Sequence, residues 1–271
     1  MKRLARDSFF TMYLLWLLVF ILSCGQSGDK NLYGIPVTKP ENILSSFNGY
    51  WNYTSGHIKF YEKYTALDTT GKPMDKGKFM QLLSSGDFLP VKRITTDSVF
   101  YYQLHRLDPT VNDDIRMTLK DWAYTEFSNY QHEGKPLTQF NFTDLNGKVY
   151  NAETTKGKIT VMKFWFIGCK PCVAEMPELN KLVARYKNRD DVVFMSLALD
   201  SKEKLEQFLE KVQFDYAVVA DQEKYLTDEL NIRQYPTHLI IDKKGKVVNI
   251  VGQASEIIYV LDREVSKNNT I

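Results

Sequence analysis

Ile159-Thr-Val-Met-Lys-Phe-Trp-Phe-Ile-Gly-Cys-Lys-Pro-Cys-Val-Ala-Glu-Met-Pro177 decides the fold. Its first half is an apolar run, Val161, Met162, Phe164, Trp165 and Phe166, interrupted only by Lys163. That is the pattern of a strand buried on both faces. Gly168 ends the run, and Val173, Met176, Leu179 and Leu182 then recur at helical spacing. A strand therefore runs into a Cys-x-x-Cys pair, Cys169 and Cys172, that opens a helix. The first N–H groups of a helix have no intrahelical acceptor and lie at the positive end of its dipole. A thiol placed there ionises readily, and the thiolate is the reactive form. Pro171 suits a helix start, where its missing N–H is not needed. The spacing lets the second sulfur reach back to the first, so Cys169 is assigned as attacker and Cys172 as resolver.

The same pair also occurs as half of a zinc site or as an inert disulfide. Zinc would need two further Cys or His ligands at short spacing. The third cysteine, Cys24, and the four histidines (His57, His105, His132 and His238) are scattered along the chain. The expectation is a redox pair with no metal, and no cofactor beyond a Cys169–Cys172 disulfide.

The chain has 271 residues, 44% of them hydrophobic and 13% aromatic, enough for two packed domains. Its formal charge of +2 is accounted for by Lys2, Arg3, Arg6 and Asp7; the rest is balanced. No strong field is left to steer a partner, and nothing recommends nucleic acid. Phe9 to Leu22 is apolar except for Thr11, shorter than the roughly 20 residues that span a bilayer. After the basic start it reads as a signal peptide over residues 1–23. Leu22-Ser23-Cys24-Gly25 resembles the lipobox of bacterial lipoproteins, which implies a lipid on Cys24; a retained transmembrane anchor is the alternative. Cys24, Cys169 and Cys172 then leave no spare thiol.

Residues 24–41, with Gly25, Ser27, Gly28, Gly34, Pro36 and Pro40, read as a tether. Residues 42–133 read as a small α+β domain. Its strands are expected at His57–Leu67, Phe88–Ile94 and Val99–Leu107, with a helix capped by Asp75 and a bridging helix over 112–131. No catalytic constellation is visible there, and its aromatics read as core. Residues 134–271 begin with a hairpin around Asn146-Gly147. The central strand follows, then a helix from Cys169 to Tyr186 kinked at Pro177. A strand at Val192–Leu199, a helix capped by Ser201, a strand at Tyr216–Ala220 and a helix over 221–231 come next. Strands at His238–Ile241 and Lys246–Val251 and a final helix from Ser255 complete the order. It predicts an α/β domain with a mixed central sheet flanked by helices.

The four phrases Phe140 to Gly147, Lys163 to Cys172, Glu175-Met-Pro-Glu-Leu179 and Tyr235-Pro-Thr-His-Leu-Ile-Ile-Asp242 with Gly245 resemble a known family. They look like the thioredoxin-fold, TlpA/ResA-like thiol–disulfide oxidoreductases, and with the lipobox like such lipoproteins of the Bacteroidetes. The resemblance implies a cis bond before Pro236, which sets the backbone of Tyr235 beside the cysteines for pairing with an extended peptide. It implies that Glu175 lines the active-site cavity and tunes the cysteines; the alternative is a first-turn carboxylate favoured by the dipole alone. Two positions depart from the thioredoxin pattern. Gly168 stands where a tryptophan is common, and Lys163 stands where thioredoxin buries an acid. A charged Lys163 would favour the thiolate; alternatively it snorkels to the sheet edge. Lys170, between the cysteines, should also favour the thiolate.

The function so implied is a membrane-anchored reductase or exchanger of disulfides in exported proteins. It would be supplied by a membrane electron donor, with cytochrome c maturation as one setting. The redox domain would sit in the cell envelope, in the periplasm or at the surface. A thiol-dependent peroxidase and a partner-binding envelope lipoprotein are the alternatives.

Overall fold

The computed structural model describes residues 32–96, 99–137 and 140–268. The signal peptide, Cys24 and the first part of the tether lie outside the described residues. The tether does not extend through residue 41. Strand β1 (Ile35–Pro36) pairs with the later strand carrying Ile94 and Arg93, and helix α1 (Pro40–Ile43) begins at Pro40. The Arg93 guanidinium donates to the carbonyls of Tyr33 and Gly34, which fixes this segment to the domain.

Helix α2 (Phe47–His57) occupies sequence in which no helix was expected. Ser46 caps it by accepting from the Gly49 N–H at 3.1 Å. Thr54 and Ser55 bond back to the carbonyls of Tyr50 and Trp51. Only Tyr50 and Tyr53 are buried, so the apolar stripe is too short to announce a helix. The strand expected over 57–67 shrinks to β2 (Thr65–Leu67). Helix α3 (Lys76–Leu83) is capped as expected, with Asp75 accepting from the Lys78 N–H at 2.9 Å. Strands β3 (Phe88–Ile94) and β4 (Phe100–Arg106) pair antiparallel, completing a sheet of order β1-β3-β4-β2.

Pro90 lies within β3 and cannot donate to a neighbour; β1 pairs only with Ile94 and Arg93, so β3 is open on that side at Pro90. There the Tyr53 hydroxyl accepts from the Lys92 N–H at 2.6 Å and donates to the Pro90 carbonyl at 3.2 Å. Tyr53→Phe should therefore lower stability by about 1–3 kcal/mol by orphaning a buried N–H. A urea melt showing no change would refute that role.

Helix α4 (Asp113–Tyr130) packs on α3 and carries the chain across to the second unit. Strands β5 (Asn141–Thr143) and β6 (Val149–Asn151) form the expected hairpin. The five-stranded sheet has order β11-β10-β7-β8-β9, with β7 (Ile159–Trp165) at its centre. After β7 come α5 (Lys170–Ala174) and α6 (Met176–Tyr186), one helix in sequence but broken at Glu175, just before Pro177. Strand β8 (Val192–Ala198), helix α7 (Lys202–Leu209) and strand β9 (Ala217–Val219) follow. Ser201 sits at the N-cap of α7, but its hydroxyl bonds the Glu203 carboxylate instead of capping the helix. The helix expected over 221–231 is present but shorter, spanning 223–229 and turning π-helical over Tyr225–Glu229, with Asp221 and Asn231 at positive φ on either side. Strands β10 (Thr237–Ile241) and β11 (Val247–Val251) run antiparallel to each other, and α8 (Ala254–Asn268) closes the fold.

Strand alternation splits β7 between two cores. Met162 and Phe164 join Leu239 and Ile241 on one side. Ile159 and Val161 join Leu179 and Leu182 of α6 and Ile257 and Val260 of α8 on the other. The two units are tied by polar contacts. Asn249 Nδ2 donates to Glu133 Oε1 at 2.7 Å. Arg263 bridges the Tyr61 carbonyl and Asn249 Oδ1.

Candidate active site

The end of β7 and the start of α5 place the two cysteines. Cys169 is the N-cap of α5 and is joined to Cys172 in a disulfide with Cα atoms 5.2 Å apart. Cys169 Sγ accepts from the Cys172 N–H at 3.3 Å. The same donor would stabilise a thiolate on Cys169 once the disulfide is reduced. Cys169 is 5% exposed and Cys172 is wholly buried, so Cys169 is the more accessible of the two. The loop entering the pair is fixed by Asp200, whose carboxylate accepts from the Ile167 N–H at 2.7 Å. Lys170 and Pro171 are exposed beside it.

The Tyr235–Pro236 bond is cis, as the resemblance implies. Tyr235 stacks edge-on against Phe166, ring centroids 5.6 Å apart, so the proline loop and the loop before Cys169 share one aromatic contact. Pro171, Ala174, Glu175, Tyr235 and Pro236 all line a single cavity of about 740 Å³.

Lys163 does not snorkel. It is fully buried, and its Nζ lies 2.7 Å from Glu175 Oε2. The break between α5 and α6 turns Glu175 down onto it. The third member was missed in the sequence. His238, also fully buried, holds the same Glu175 oxygen at 3.0 Å through Nε2. Strand pairing places it there: β10 pairs antiparallel with β7, and His238 is the register partner of Lys163. Burial pushes the Glu175 carboxyl up, but His238 and Lys163 together outweigh it and hold it below its ordinary value. Burial lowers the Lys163 ammonium against the pull of Glu175, and it lowers His238 as well. Glu175 pairs with the Lys163 ammonium, and because a carboxylate only accepts, His238 Nε2 meets it as the donor while burial disfavours a charge on the ring; among the described residues His238 Nδ1 is buried without a partner.

Among the described residues no cluster of three or more His, Cys, Asp or Glu could hold a metal ion. No helix among them is long and apolar enough to cross a membrane.

Residues 133–250 match the AhpC/TSA family. The thiol-disulfide oxidoreductase ResA of Bacillus cereus is 32% identical over 124 residues, covering 45% of this chain and 72% of that protein. ResA of Bacillus anthracis is 33% identical over 127 residues, covering 45% and 72%. A solved thiol-disulfide oxidoreductase from Bacteroides fragilis aligns with a TM-score of 0.43 at 20% identity, covering 48% of this chain and 98% of that one. The second unit has the thioredoxin-like fold, a mixed sheet with flanking helices.

Proposed function

We propose, from the premise that this chain belongs to the thiol-disulfide oxidoreductases of the ResA type, that Cys169 and Cys172 carry the exchange and act on disulfides of exported proteins. One observation supports this reading above the rest: the two sulfurs are already bonded at the mouth of α5, with Cys169 the less buried of the two, 5% exposed where Cys172 is fully enclosed. In the reducing direction the Cys169 thiolate attacks one sulfur of the substrate disulfide. A Cys169–substrate disulfide forms and the other substrate sulfur leaves as a thiolate. The Cys172 thiolate then attacks Cys169 Sγ, and the second substrate thiolate leaves. Two electrons have passed from the pair to the substrate, and a membrane dithiol donor would return them. Tyr235 and cis-Pro236 offer backbone to an extended substrate, and Glu175 with Lys163 sets the charge behind the pair. Lys170 and Pro171 border the point of attack. A lipid on Cys24 would hold this domain at the envelope membrane, in the periplasm or at the surface, and cytochrome c maturation is one setting.

The test is a trap. Cys172→Ala removes the resolving sulfur, so captured substrates should stay on Cys169 as mixed disulfides. Non-reducing gels followed by mass spectrometry should show adducts that vanish in Cys169→Ser/Cys172→Ala. An equal set of adducts without Cys169 would refute the assignment.

A further inference from the structure

The cavity beside the cysteines is built by both units. Trp51 and Thr54 of α2 and Trp122 and Glu126 of α4 face Pro171, Glu175 and cis-Pro236 across it. Its volume, about 740 Å³, lies within the range of sites that enclose a ligand group. Its charged lining is unequal: Lys76 against Glu126, Glu133, Glu175 and Glu256. Two of these carboxylates are neutralised within the protein. Glu133 holds Lys76 at 3.0 Å, and Glu175 holds Lys163 at 2.7 Å. Glu126 and Glu256 have no cation within 4 Å among the described residues. Glu256 accepts from the Gly252 N–H at 3.0 Å, and the Trp122 side chain donates to Glu126. Trp51 is 56% exposed, an indole held in water at a wall of the cavity. Aromatic faces together with unpaired carboxylates attract a cation with an apolar stem.

We infer that this cleft reads the disulfide substrate by taking a lysine or arginine side chain next to the substrate cysteine, with Glu126 and Glu256 as its counter-charges and Trp51 and Trp122 as its walls. This rests on the reading of Cys169 as the attacking sulfur, because the cleft selects only what is presented to it. Burial, then Glu256 and Glu133, push the Glu126 carboxyl up to about 8, with Lys76 and the Trp122 bond opposing. Glu256 is raised too, chiefly by burial and slightly by Glu175, against the Gly252 and Gln253 N–H groups and the Lys59 ammonium; Tyr64, which faces Glu133 and Glu126, is raised well above its ordinary value, chiefly by burial. Glu126 is thus partly protonated at neutral pH. A bound ammonium, which keeps its own proton to about pH 10, favours the ionised carboxylate. Preference for a basic substrate must therefore rise as pH climbs through about 8.

The experiment uses the full chain, reduced, in a non-ionic detergent. Its substrates are three short disulfide-linked peptides that differ only in the residue beside the cysteine: Lys, Leu or Glu. The ratio of kcat/KM for the Lys peptide to that for the Glu peptide cancels the titration of Cys169. It should be about 10-fold or more at pH 8 and should grow between pH 7 and 9. In Glu126→Gln, an isostere of the protonated form, the ratio should fall below about 3-fold and lose its pH dependence. Trp51→Ala, at an exposed position that does not threaten folding, should narrow the ratio as well. Equal rates on Lys and Glu peptides in the unmodified protein would overturn the inference and leave the exchange reaction standing. Failure to reduce any of the three would overturn the reading of the cysteines instead.

Discussion

Exchange of Cys169 for serine is expected to slow reduction of insulin by this protein at least about 10³-fold, with dithiothreitol regenerating the pair. The reason is acidity as much as shape. A cysteine in a helix's first turn reaches the thiolate near neutral pH, whereas a serine hydroxyl there stays protonated. The buried Cys172 cannot substitute, because it has no surface for a protein disulfide to meet. The loss will not come from unfolding. The Cys169–Cys172 disulfide spans three residues, so it closes very little chain and constrains the unfolded state weakly. Near-UV circular dichroism of Cys169→Ser should match that of the reduced parent, and insulin turbidity should separate them. An undiminished rate would remove Cys169 from the reaction. Peroxide consumption by the parent without an added thiol protein would favour the peroxidase alternative.

Where a residue's neighbours are near in sequence, its role was legible. Cys169, Pro171 and Cys172 sit on one turn, so spacing alone placed them at a helix mouth. The central strand was legible because seven consecutive buried residues leave few other readings. Across the chain the signal faded. Lys163 looked like an edge residue because a lone lysine in a strand usually reaches for water. Only the register of β10 against β7 reveals that His238 lies beside it, and only the break at Glu175 brings the carboxylate down. Helix α2 was hidden by its own composition, rich in Tyr, Trp, Thr and Gly, residues that favour strands or turns. That omission mattered, since α2 supplies Trp51 to the cavity beside the cysteines. The first unit's aromatics were read as core. Most are, but the wall residues face a cleft whose other side comes from sequence a hundred residues away.

The buried pair beneath the cysteines gives the second large effect. Glu175→Gln should destabilise the oxidised protein by about 3 kcal/mol, near the low end for breaking a buried ion pair. The low end applies because the Glu175 side chain is 15% exposed, while Lys163 is fully enclosed. The cost comes from the charge left behind: Lys163 keeps its burial and loses its counter-ion. Lys163→Met/Glu175→Gln should recover most of that loss, since the methionine fills the space without a charge and the glutamine oxygen still accepts from His238. Urea unfolding of the two single variants and the double variant would give a coupling of about 2 kcal/mol or more. The pH dependence fixes the sign. Lys163 titrates lower in the folded chain than its ordinary value of 10.5, so between those two values the unfolded chain binds more protons, and stability rises with pH. Removing the carboxylate depresses that folded value further. The deficit of Glu175→Gln should therefore shrink as pH is raised from 7 toward 10, as Lys163 gives up its proton. Glu175 itself is depressed below 4.5, so the parent's advantage is present above that value and fades in acid as the carboxylate protonates. A deficit that stayed constant from pH 7 to 10 would mean that Lys163 is not the stranded charge. The effect of Glu175 would then have to lie in how it shapes the break between α5 and α6.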